Sequence, residues 1–434
     1  MSEFTRRGFL KLSGAAATAG ALGFTNIAIG GATKRVVIIG GGIGGATAAK
    51  YIRMADSSVD VTVIEPKKHY HTCFMSNEVL SGERRIESIR FDYEGLRSHG
   101  VTVVNDTVTS IDANSRIVKT SGGNSFNYDR CIVSPGIDFR WDQIEGYDAS
   151  VAESIPHAWK AGSQTVTLRK QLEGMKNGGT VIIAPPPNPF RCPPGPYERA
   201  SLIANYLKHH KPKSKIIILD PKDKFSKFGL FNAGWKKYYG YGTDNSMIEW
   251  VNGAAGGKIE AVNAKTKTVT AAVEEFKGDV LNIIPAQKAG KIAFIAGLTN
   301  DKGWCPVDLK TFESTIHQNI HVIGDSAIQS PLPKSGYAAN SEAKVCAAAV
   351  VALLNDMKTP QPSYVNTCYS VIAPDDGISV AMVYRYNNET KKIDKVKGAG
   401  GLTPGYDKTT MEMRRREVGY AHSWFNNITH DVFG

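Results

Sequence analysis

Short apolar runs alternate with longer amphipathic stretches along most of the chain. Val36–Ile39 is apolar throughout, Ala46–Arg53 has helical spacing, and Val59–Ile64 is again rich in β-branched residues. The same order recurs in Thr180–Ala184, Tyr197–Lys208 and Lys215–Asp220. Short apolar runs are typical of buried parallel strands, and an intervening helix completes a βαβ unit. The pattern therefore predicts an α/β protein with two such units.

The first unit carries a glycine-rich turn. Gly40, Gly42 and Gly45 form a G-x-G-x-x-G sequence between the first strand and the helix, and Glu65 ends the second strand. In such units the first glycine makes a tight turn and the second lets the backbone approach a pyrophosphate. The third lets the helix pack closely on the strand, and the acid binds ribose hydroxyls. Strand, turn, helix and acid together predict a dinucleotide site.

The second unit has a very different turn. Residues 185–196 read PPPNPFRCPPGP. Proline has no backbone N–H and a fixed φ, so this turn is poorly suited to donate hydrogen bonds to a pyrophosphate. We expect a second nucleotide-type domain that serves as scaffold, does not bind NAD, and has its turn rebuilt around Cys192. NAD(P)H is accordingly not the expected electron donor.

Composition narrows the class of protein. The chain has 434 residues, 43 glycines, 42% hydrophobic residues and a net charge of +11. These values fit a globular protein of two or three domains and exclude wholesale disorder. No motif indicates nucleic-acid binding, and the six cysteines include no C-x-x-C or C-x-x-C-H pair, so no local metal, iron–sulfur or haem site is predicted.

The N-terminus resembles an export signal. Arg6 and Arg7 stand in a Thr-Arg-Arg-Gly-Phe-Leu-Lys sequence, and a small-residue apolar stretch follows up to residue 30. This is typical of the twin-arginine route, which exports folded proteins, so we expect residues 1–31 to be removed and the mature protein to lie in the periplasm. The mature chain keeps a charge of about +9, which suits an acidic partner or an anionic substrate. A retained anchor is the alternative reading of the same segment.

Two later segments complete a wider resemblance. Tyr128–Gly136 reads YDRCIVSPG, and an apolar strand within Thr311–Asp325 ends in Gly-Asp. With the first unit, they resemble the disulfide-reductase-like flavoproteins, which contain two dinucleotide-binding domains. The resemblance implies two Rossmann-like domains and places Asp325 against the ribityl–pyrophosphate part of FAD. It also implies that a helix, here Asn340–Leu354, points its N-terminus at the flavin.

In that family the second nucleotide domain interrupts the FAD domain. Applied to this chain, the resemblance gives an α/β fold with an FAD domain at 32–148 and 288–358, a degenerate nucleotide-type domain at 149–287, and a C-terminal α+β interface domain at 359–434. Alternating patterns such as Ile378–Tyr386 predict strands in the last domain. We expect no amphipathic membrane helix there and no stable membrane insertion.

A closer resemblance rests on the loop that follows Glu65. Cys73 lies in a Y-x-T-C-x-x-S-N sequence. Over essentially its mature length the chain resembles the flavoprotein subunit of flavocytochrome c sulfide dehydrogenase. The resemblance implies that the sulfur of Cys73 is bonded to the 8α-methyl of FAD. It also implies a heterodimer with a c-type cytochrome subunit, which carries the haem.

The same resemblance implies the redox chemistry. Cys192 and Cys368 would form a redox-active disulfide beside the flavin, hydrogen sulfide would attack it as a nucleophile, and Glu198 would take a proton from bound sulfide. The expected function is that of a periplasmic sulfide:cytochrome c oxidoreductase. Structural thiols at Cys192 and Cys368 and a plain helix-start acid at Glu198 are the alternative readings of these residues.

Three other functions remain open from the sequence. A sulfide:quinone reductase has related chemistry, an NADH dehydrogenase shares the fold, and a flavoprotein could bind a cytochrome without catalysis. The remaining cysteines have unremarkable contexts and are expected to be structural; they are Cys131, Cys305 and Cys346.

Overall fold

The computed structural model describes residues 34–434, so the predicted twin-arginine signal lies outside the described residues. The first part of the chain builds most of one parallel sheet. Its elements, in chain order, are β1 (Arg35–Ile39), α1 (Ile43–Ala55), β2 (Asp60–Ile64), β3 (Tyr70–His71), α2 (Ser76–Ser81), β4 (Arg90–Phe91), α3 (Glu94–Ser98), β5 (Thr102–Val104), β6 (Val108–Asp112), β7 (Ile117–Thr120), β8 (Ser125–Asn127), β9 (Arg130–Val133) and β10 (Ile137–Phe139).

The middle of the chain forms a second parallel sheet. Its elements are α4 (Ser163–Gly174), β11 (Thr180–Ala184), α5 (Gly195–His210), β12 (Lys215–Leu219), α6 (Phe228–Tyr239), β13 (Ile248–Val251), β14 (Ile259–Asn263), β15 (Thr268–Ala271), β16 (Glu275–Lys277), β17 (Val280–Ile283) and β18 (Gln287–Ala289). The rest comprises α7 (Lys291–Ile295), β19 (Ile320–Val322), α8 (Gly336–Leu354), β20 (Ser363–Ala373), β21 (Asp376–Asn387), β22 (Lys392–Leu402) and α9 (Met411–Phe433).

The strand order shows how the two sheets share the chain. The first sheet has the order β19-β9-β1-β2-β5, so its edge strand β19 comes from far beyond the second sheet, whose order is β13-β12-β11-β17. Strands β10 and β18 pair antiparallel where the chain leaves the first sheet and returns to it. The fold is therefore a two-dinucleotide-domain α/β architecture with the second unit inserted into the first, as predicted.

Each parallel sheet buries its own apolar core. Val36, Val63 and Ile132 are almost wholly buried in the first core, and Val181 and Ile218 in the second. These are the short apolar runs that predicted the strands, and burial on both faces explains their continuous hydrophobicity. The predicted domain boundaries stay predictions, and Ile144 and Tyr147 pack with the second sheet.

The C-terminal part differs from the expectation in one element. Strands β20, β21 and β22 form the antiparallel sheet that the alternating pattern indicated. The tail then forms the 23-residue helix α9, which the sequence analysis did not predict. Its buried positions recur every three or four residues, including Val418, Ala421 and Phe425. The tail thus does contain a long amphipathic helix, and its apolar face packs on the protein itself.

One helix in the described part of the chain has the length and apolar character of a membrane span. It is α8, with a mean hydropathy of 1.2, and 61% of its apolar stretch is buried inside the protein. Such burial is what a core helix of this composition shows.

Candidate active site

The glycine-rich turn lies at the carboxyl end of β1, where α1 begins. Gly40 has a φ of +97°, and a Cβ on Gly45 would stand 1.9 Å from the carbonyl oxygen of Gly40. Gly45 therefore permits the close strand–helix packing and lies beneath the turn. Gly40 and Gly42 instead line a cavity of about 430 Å³, which we call the large cavity.

Glu65 closes the far side of this turn. Its Oε2 accepts a hydrogen bond from the backbone N–H of Gly41 at 2.9 Å, and its Oε1 accepts one from the N–H of Lys67 at 3.0 Å. The carboxylate lines the large cavity at the end of β2. This position suits an acid that receives ribose hydroxyls.

Asp325 follows β19 and faces the same cavity from the opposite side. Burial raises the pKa of its carboxyl. Oδ2 lies 3.7 Å from the guanidinium of Arg191, whereas the buried Oδ1 has no hydrogen-bond partner among the described residues. A buried acceptor without a partner is costly in a folded chain, so it indicates a donor supplied by a bound molecule. The hydroxyls of a nucleotide cofactor fit this requirement.

Cys73 connects the large cavity to a second one. It lies in the turn between β3 and α2, and its Sγ is 3.9 Å from the carbonyl oxygen of Trp159. Cys73, Phe74, Arg191 and Gly336 line both the large cavity and a neighbouring space of about 100 Å³, which we call the small cavity.

The two other predicted cysteines meet in the small cavity. Cys192 comes from the proline-rich turn before α5, and Cys368 from the middle of β20. Cys192 has a left-handed φ of 58°, and its N–H donates to the carbonyl of Lys334 at 2.8 Å. Both are free thiols in this structure and lie on the wall of the small cavity. The redox-active disulfide that the resemblance implies stays a prediction. Burial raises the pKa of Cys192, and negative charge on Cys368 raises it further.

Glu198 completes the predicted set in the first turn of α5. Its Oε2 accepts from Asn77 Nδ2 at 2.8 Å and its Oε1 accepts from the N–H of Val371 at 2.9 Å. Burial raises the pKa of this carboxyl, which also lines the small cavity. A carboxyl whose pKa is shifted toward neutrality is suited to receive and return protons.

Two buried basic side chains near the site were not predicted from the sequence. Arg199 is 1% exposed and donates to Asn77 Oδ1 at 3.0 Å, so it braces the group that holds Glu198. Its burial lowers its pKa to about 10. Lys227 is buried below β20, with its Nζ 2.7 Å from the carbonyl of Cys368. Arginine and lysine on a helix or loop give no sequence signal of burial, because the burial comes from distant segments.

Aromatic rings close the small cavity on the side of α9. Trp424 lines it and stacks on Tyr337, with ring centres 5.7 Å apart and planes 4° apart. Phe74 lies 4.9 Å from Trp424 between ring centres. Trp424 reaches the site from helix α9, which the sequence did not predict.

Three family matches cover most of the described chain. Residues 34–171 match the pyridine nucleotide-disulphide oxidoreductase family. Residues 165–285 match the central part of the sulfide dehydrogenase [flavocytochrome c] flavoprotein chain, and residues 360–433 match the flavin-binding part of flavocytochrome c sulphide dehydrogenase. A sulfide dehydrogenase [flavocytochrome c] flavoprotein chain of Chlorobaculum thiosulfatiphilum is 57% identical over 47 residues, which are 11% of this chain and 98% of that sequence.

The chain belongs to the flavocytochrome c sulfide dehydrogenase flavoprotein family. It is thus a flavin-binding member of the sulfide-oxidising oxidoreductases. The three matched segments carry different parts of the site: the glycine turn and Cys73 in the first, Cys192 and Glu198 in the second, and Cys368 in the third.

More distant relatives share the fold. A mitochondrial sulfide:quinone oxidoreductase of Dictyostelium discoideum is 23% identical over 321 residues, covering 72% of this chain and 69% of that one. The solved structure of the sulfide:quinone oxidoreductase of Aquifex aeolicus has a TM-score of 0.69 and 16% identity, and the match covers 92% of each chain. These likenesses support the two-domain fold of the family.

In the second βαβ unit of this flavoprotein, the acid at the strand end bonds to side chains of the same unit. Asp220, at the end of β12, is wholly buried. It accepts hydrogen bonds from Tyr197 at 2.6 Å and Trp250 at 3.1 Å, and its Oδ1 lies 2.7 Å from Lys222 Nζ. The carboxylate that could receive a second nucleotide is therefore engaged internally.

Proposed function

We propose that this flavoprotein oxidises hydrogen sulfide at the Cys192–Cys368 pair and passes the electrons to a c-type cytochrome subunit. One observation carries the proposal: both cysteines, Glu198 and Cys73 line one small cavity, which adjoins the large cavity where the cofactor fits. Two thiols, an acid and a flavin site in contact form a complete set for two-electron thiol chemistry.

The size and charge of the small cavity favour hydrosulfide as the substrate. A volume of about 100 Å³ admits only a few heavy atoms. The guanidiniums of Arg191 and Arg199 lie at its wall, and the carboxyl of Glu198 has a raised pKa. Arg191 lies 3.7 Å from Asp325, whereas Arg199 has no ion pair within 4 Å among the described residues. A buried cation without an ionised partner attracts an anion, and hydrosulfide is both small and anionic.

The reaction follows from thiol–disulfide exchange. Hydrosulfide bonds to one sulfur of the oxidised pair, the S–S bond breaks, and the other cysteine leaves as a thiolate. A second hydrosulfide attacks the outer sulfur of the persulfide and releases HSS⁻, which leaves both cysteines reduced. Re-forming the disulfide completes the cycle, so two HS⁻ give one HSS⁻, one proton and two electrons. Glu198 receives the released proton at its carboxyl.

FAD, when bound, supplies the acceptor for those two electrons. Gly40, Gly42, Glu65 and Asp325 would hold it in the large cavity. Cys73 lies where the two cavities meet, which supports a covalent bond between its sulfur and the cofactor. Such a bond would prevent loss of the cofactor after export and raise the flavin potential.

The acceptor and the location are further parts of the proposal. The family description names a flavocytochrome c, and this chain has no C-x-x-C-H sequence of its own, which supports a haem on a separate cytochrome chain. Arg6 and Arg7 support export to the periplasm by the twin-arginine route. Quinone is the second candidate acceptor, because several relatives are named as sulfide:quinone oxidoreductases.

The test begins with the purified flavin-containing protein. After acid denaturation, we expect the yellow colour to stay with the peptide that contains Cys73. Cys192→Ser and Cys368→Ser are then each expected to keep the flavin and to lose at least about a hundredfold of sulfide turnover. Cys346→Ala, in the buried helix α8, is the matched control and should keep turnover.

The assay is run with a soluble c-type cytochrome and, separately, with a short-chain ubiquinone. Turnover only with the quinone would replace the cytochrome as acceptor. Unchanged sulfide oxidation in both serine variants would refute the cysteine mechanism and favour a flavoprotein that binds a cytochrome without catalysis.

A further inference from the structure

Lys227 occupies an unusual place for a lysine. It precedes α6 with a left-handed φ of 63°, and its side chain is 6% exposed. Its Nζ donates to the carbonyl of Cys368 at 2.7 Å, to Ser370 Oγ at 2.9 Å and to the carbonyl of Ile378 at 3.5 Å. The ammonium is thus held against β20 directly beside Cys368.

Strand geometry places the sulfur of Cys368 on the side of the sheet that faces this ammonium. Side chains two residues apart on a strand point to the same face. β20 pairs regularly with β21 here, with Cys368 opposite Val380 and Ser370 opposite Ile378. Because Ser370 Oγ contacts Lys227 Nζ, the thiol of Cys368 shares that face. The contact between Asn366 Nδ2 and Cys368 Sγ, at 3.4 Å, fits the same alternation.

The charge of Lys227 has no ionised partner in contact. Its three acceptors are two carbonyls and a hydroxyl, and no ion pair within 4 Å involves it among residues 34–434. Burial lowers its pKa to about 8, while negative charge on Cys368, Glu198, Cys192 and Glu417 acts in the opposite direction. A buried cation is costly unless an anion accompanies it. Three neutral hydrogen-bond acceptors alone would not require an ammonium.

We propose that Lys227 is the positioning cation that stabilises Cys368 as a thiolate when the Cys192–Cys368 disulfide opens. Hydrosulfide then bonds to Cys192 Sγ, the S–S bond breaks, and Cys368 leaves with the electron pair. One negative charge enters as HS⁻ and one remains on Cys368, beside the ammonium. Cys192 then carries the persulfide. The inference rests on the proposed function only in taking this pair as redox-active.

Stabilising the thiolate makes the disulfide easier to reduce, so the redox equilibrium of the pair reports on Lys227. The flavin-containing protein is equilibrated in dithiothreitol redox buffers at neutral pH, quenched with acid, and alkylated after denaturation. Peptide mass analysis then gives the reduced fraction of the Cys192–Cys368 pair. No sulfide is needed, so the measurement is independent of substrate identity.

Lys227→Gln keeps a hydrogen-bond donor and removes the charge. We expect it to need at least about a tenfold higher ratio of reduced to oxidised dithiothreitol for half reduction. Lys227→Arg keeps the charge and should restore most of that shift. Ser370→Ala removes one acceptor without touching the charge and should resemble the parent. A parental ratio in Lys227→Gln, with the flavin spectrum intact, would overturn the inference.

A measurement on the unaltered protein covers the case in which Lys227→Gln does not fold. Between pH 6 and 7 the ammonium stays protonated, so reduction to one thiol and one thiolate takes up about one proton per disulfide. Uptake of two protons would overturn the inference. If the pair forms no disulfide at any buffer ratio, the proposed function itself fails, which distinguishes the two outcomes.

Discussion

The turn at Gly40–Gly45 and the turn at residues 185–196 stand at the same place in two similar parallel sheets. Each follows a buried strand and precedes a helix. The first turn lines the large cavity together with two carboxylates, Glu65 and Asp325. The second is rich in proline, and the acid of its unit, Asp220, is enclosed by Tyr197, Trp250 and Lys222.

This difference shows that topology alone does not make a nucleotide site. Both sheets supply strand ends and a helix start, but only the first leaves donors and acceptors free for a ligand. In the second unit, Cys192 on the turn and Glu198 on the following helix line the small cavity. The inserted domain therefore contributes thiol chemistry where the βαβ pattern on its own would suggest a second dinucleotide.

The largest effect is expected when the close packing of α1 on β1 at the first turn is broken. Gly45→Val would place a Cβ 1.9 Å from the carbonyl oxygen of Gly40 and 3.2 Å from Ile38, which forces α1 away from β1. We expect the flavin-to-protein ratio of the purified variant to fall at least about tenfold. Absorbance in the visible range, relative to protein, measures this.

The control for that substitution lies in the other half of the comparison. Gly229 in α6 has no atom within 4 Å of an added Cβ, so Gly229→Ala should keep the flavin and the fold. Full flavin content in Gly45→Val would mean that the tight packing of the first turn does not govern cofactor binding.

A smaller but still substantial effect is expected from removing the internal carboxylate of the second βαβ unit. Asp220→Asn removes the carboxylate that pairs with buried Lys222, so the ammonium loses its partner. Breaking one side of a buried pair typically costs about 3–5 kcal/mol. We expect a lower free energy of unfolding in urea, with the flavin retained.

Glu249→Gln supplies the matched comparison on the neighbouring strand. Its ion pair with Lys215 is 44% exposed on both sides, so its loss should cost about 1 kcal/mol or less. Loss of flavin from Asp220→Asn at full stability would contradict the view that this acid is internal to the second sheet.

Those parts of the site that depend on residues adjacent in sequence could be predicted from the sequence. The glycine turn with Glu65, the Gly-Asp end at Asp325 and the proline-rich turn all carry their meaning within a few positions. They gave the fold and the side of the sheet where the cofactor fits. The family resemblance at Cys73 predicted a place beside the cofactor, and Cys73 lies where the two cavities meet.

What the sequence did not reveal depends on contacts between distant segments. Helix α9 contains three consecutive arginines and a glycine, and its apolar stripe makes sense only against the partners it covers. Lys227 resembles a surface lysine until β20 is folded over it. Asn77 and Arg199 hold each other through tertiary contacts, so their support of Glu198 has no signature in the chain.

The smallest predicted effect concerns how α9 is held over the first half of the molecule. His422 Nε2 lies 2.6 Å from Glu78 Oε1, and Arg84 contacts the other oxygen at 2.7 Å. The hydrogen bond that His422 donates to Glu78 raises the pKa of His422, while Glu83 and Arg84 also face the imidazole. The second turn has no contact of this kind with α9 among the hydrogen bonds of the described residues, so pH should act on the first half selectively.

The sign of this effect follows from the direction of the pKa shifts. A raised histidine pKa stabilises the folded state below the ordinary value of about 6.5, and that contribution disappears as pH rises through the folded pKa. The pKa of Glu78 is lowered, because its bonds to His422 and Arg84 outweigh its burial, so its share disappears in acid. His422→Gln should therefore lower Tm by about 1–2 °C near pH 6 and by less at pH 9.

Thermal unfolding across that pH range, followed by flavin fluorescence and by circular dichroism, checks this prediction. The imidazole is 44% exposed, so salt should reduce the difference further. His209→Gln is the control, since that histidine is exposed on α5 and contacts only a backbone carbonyl of its own helix, and it should leave the pH profile unchanged. An equal loss at pH 6 and pH 9 would show that His422 acts through packing alone, and α9 would then be held over the cavity by its apolar face without a titrating contact.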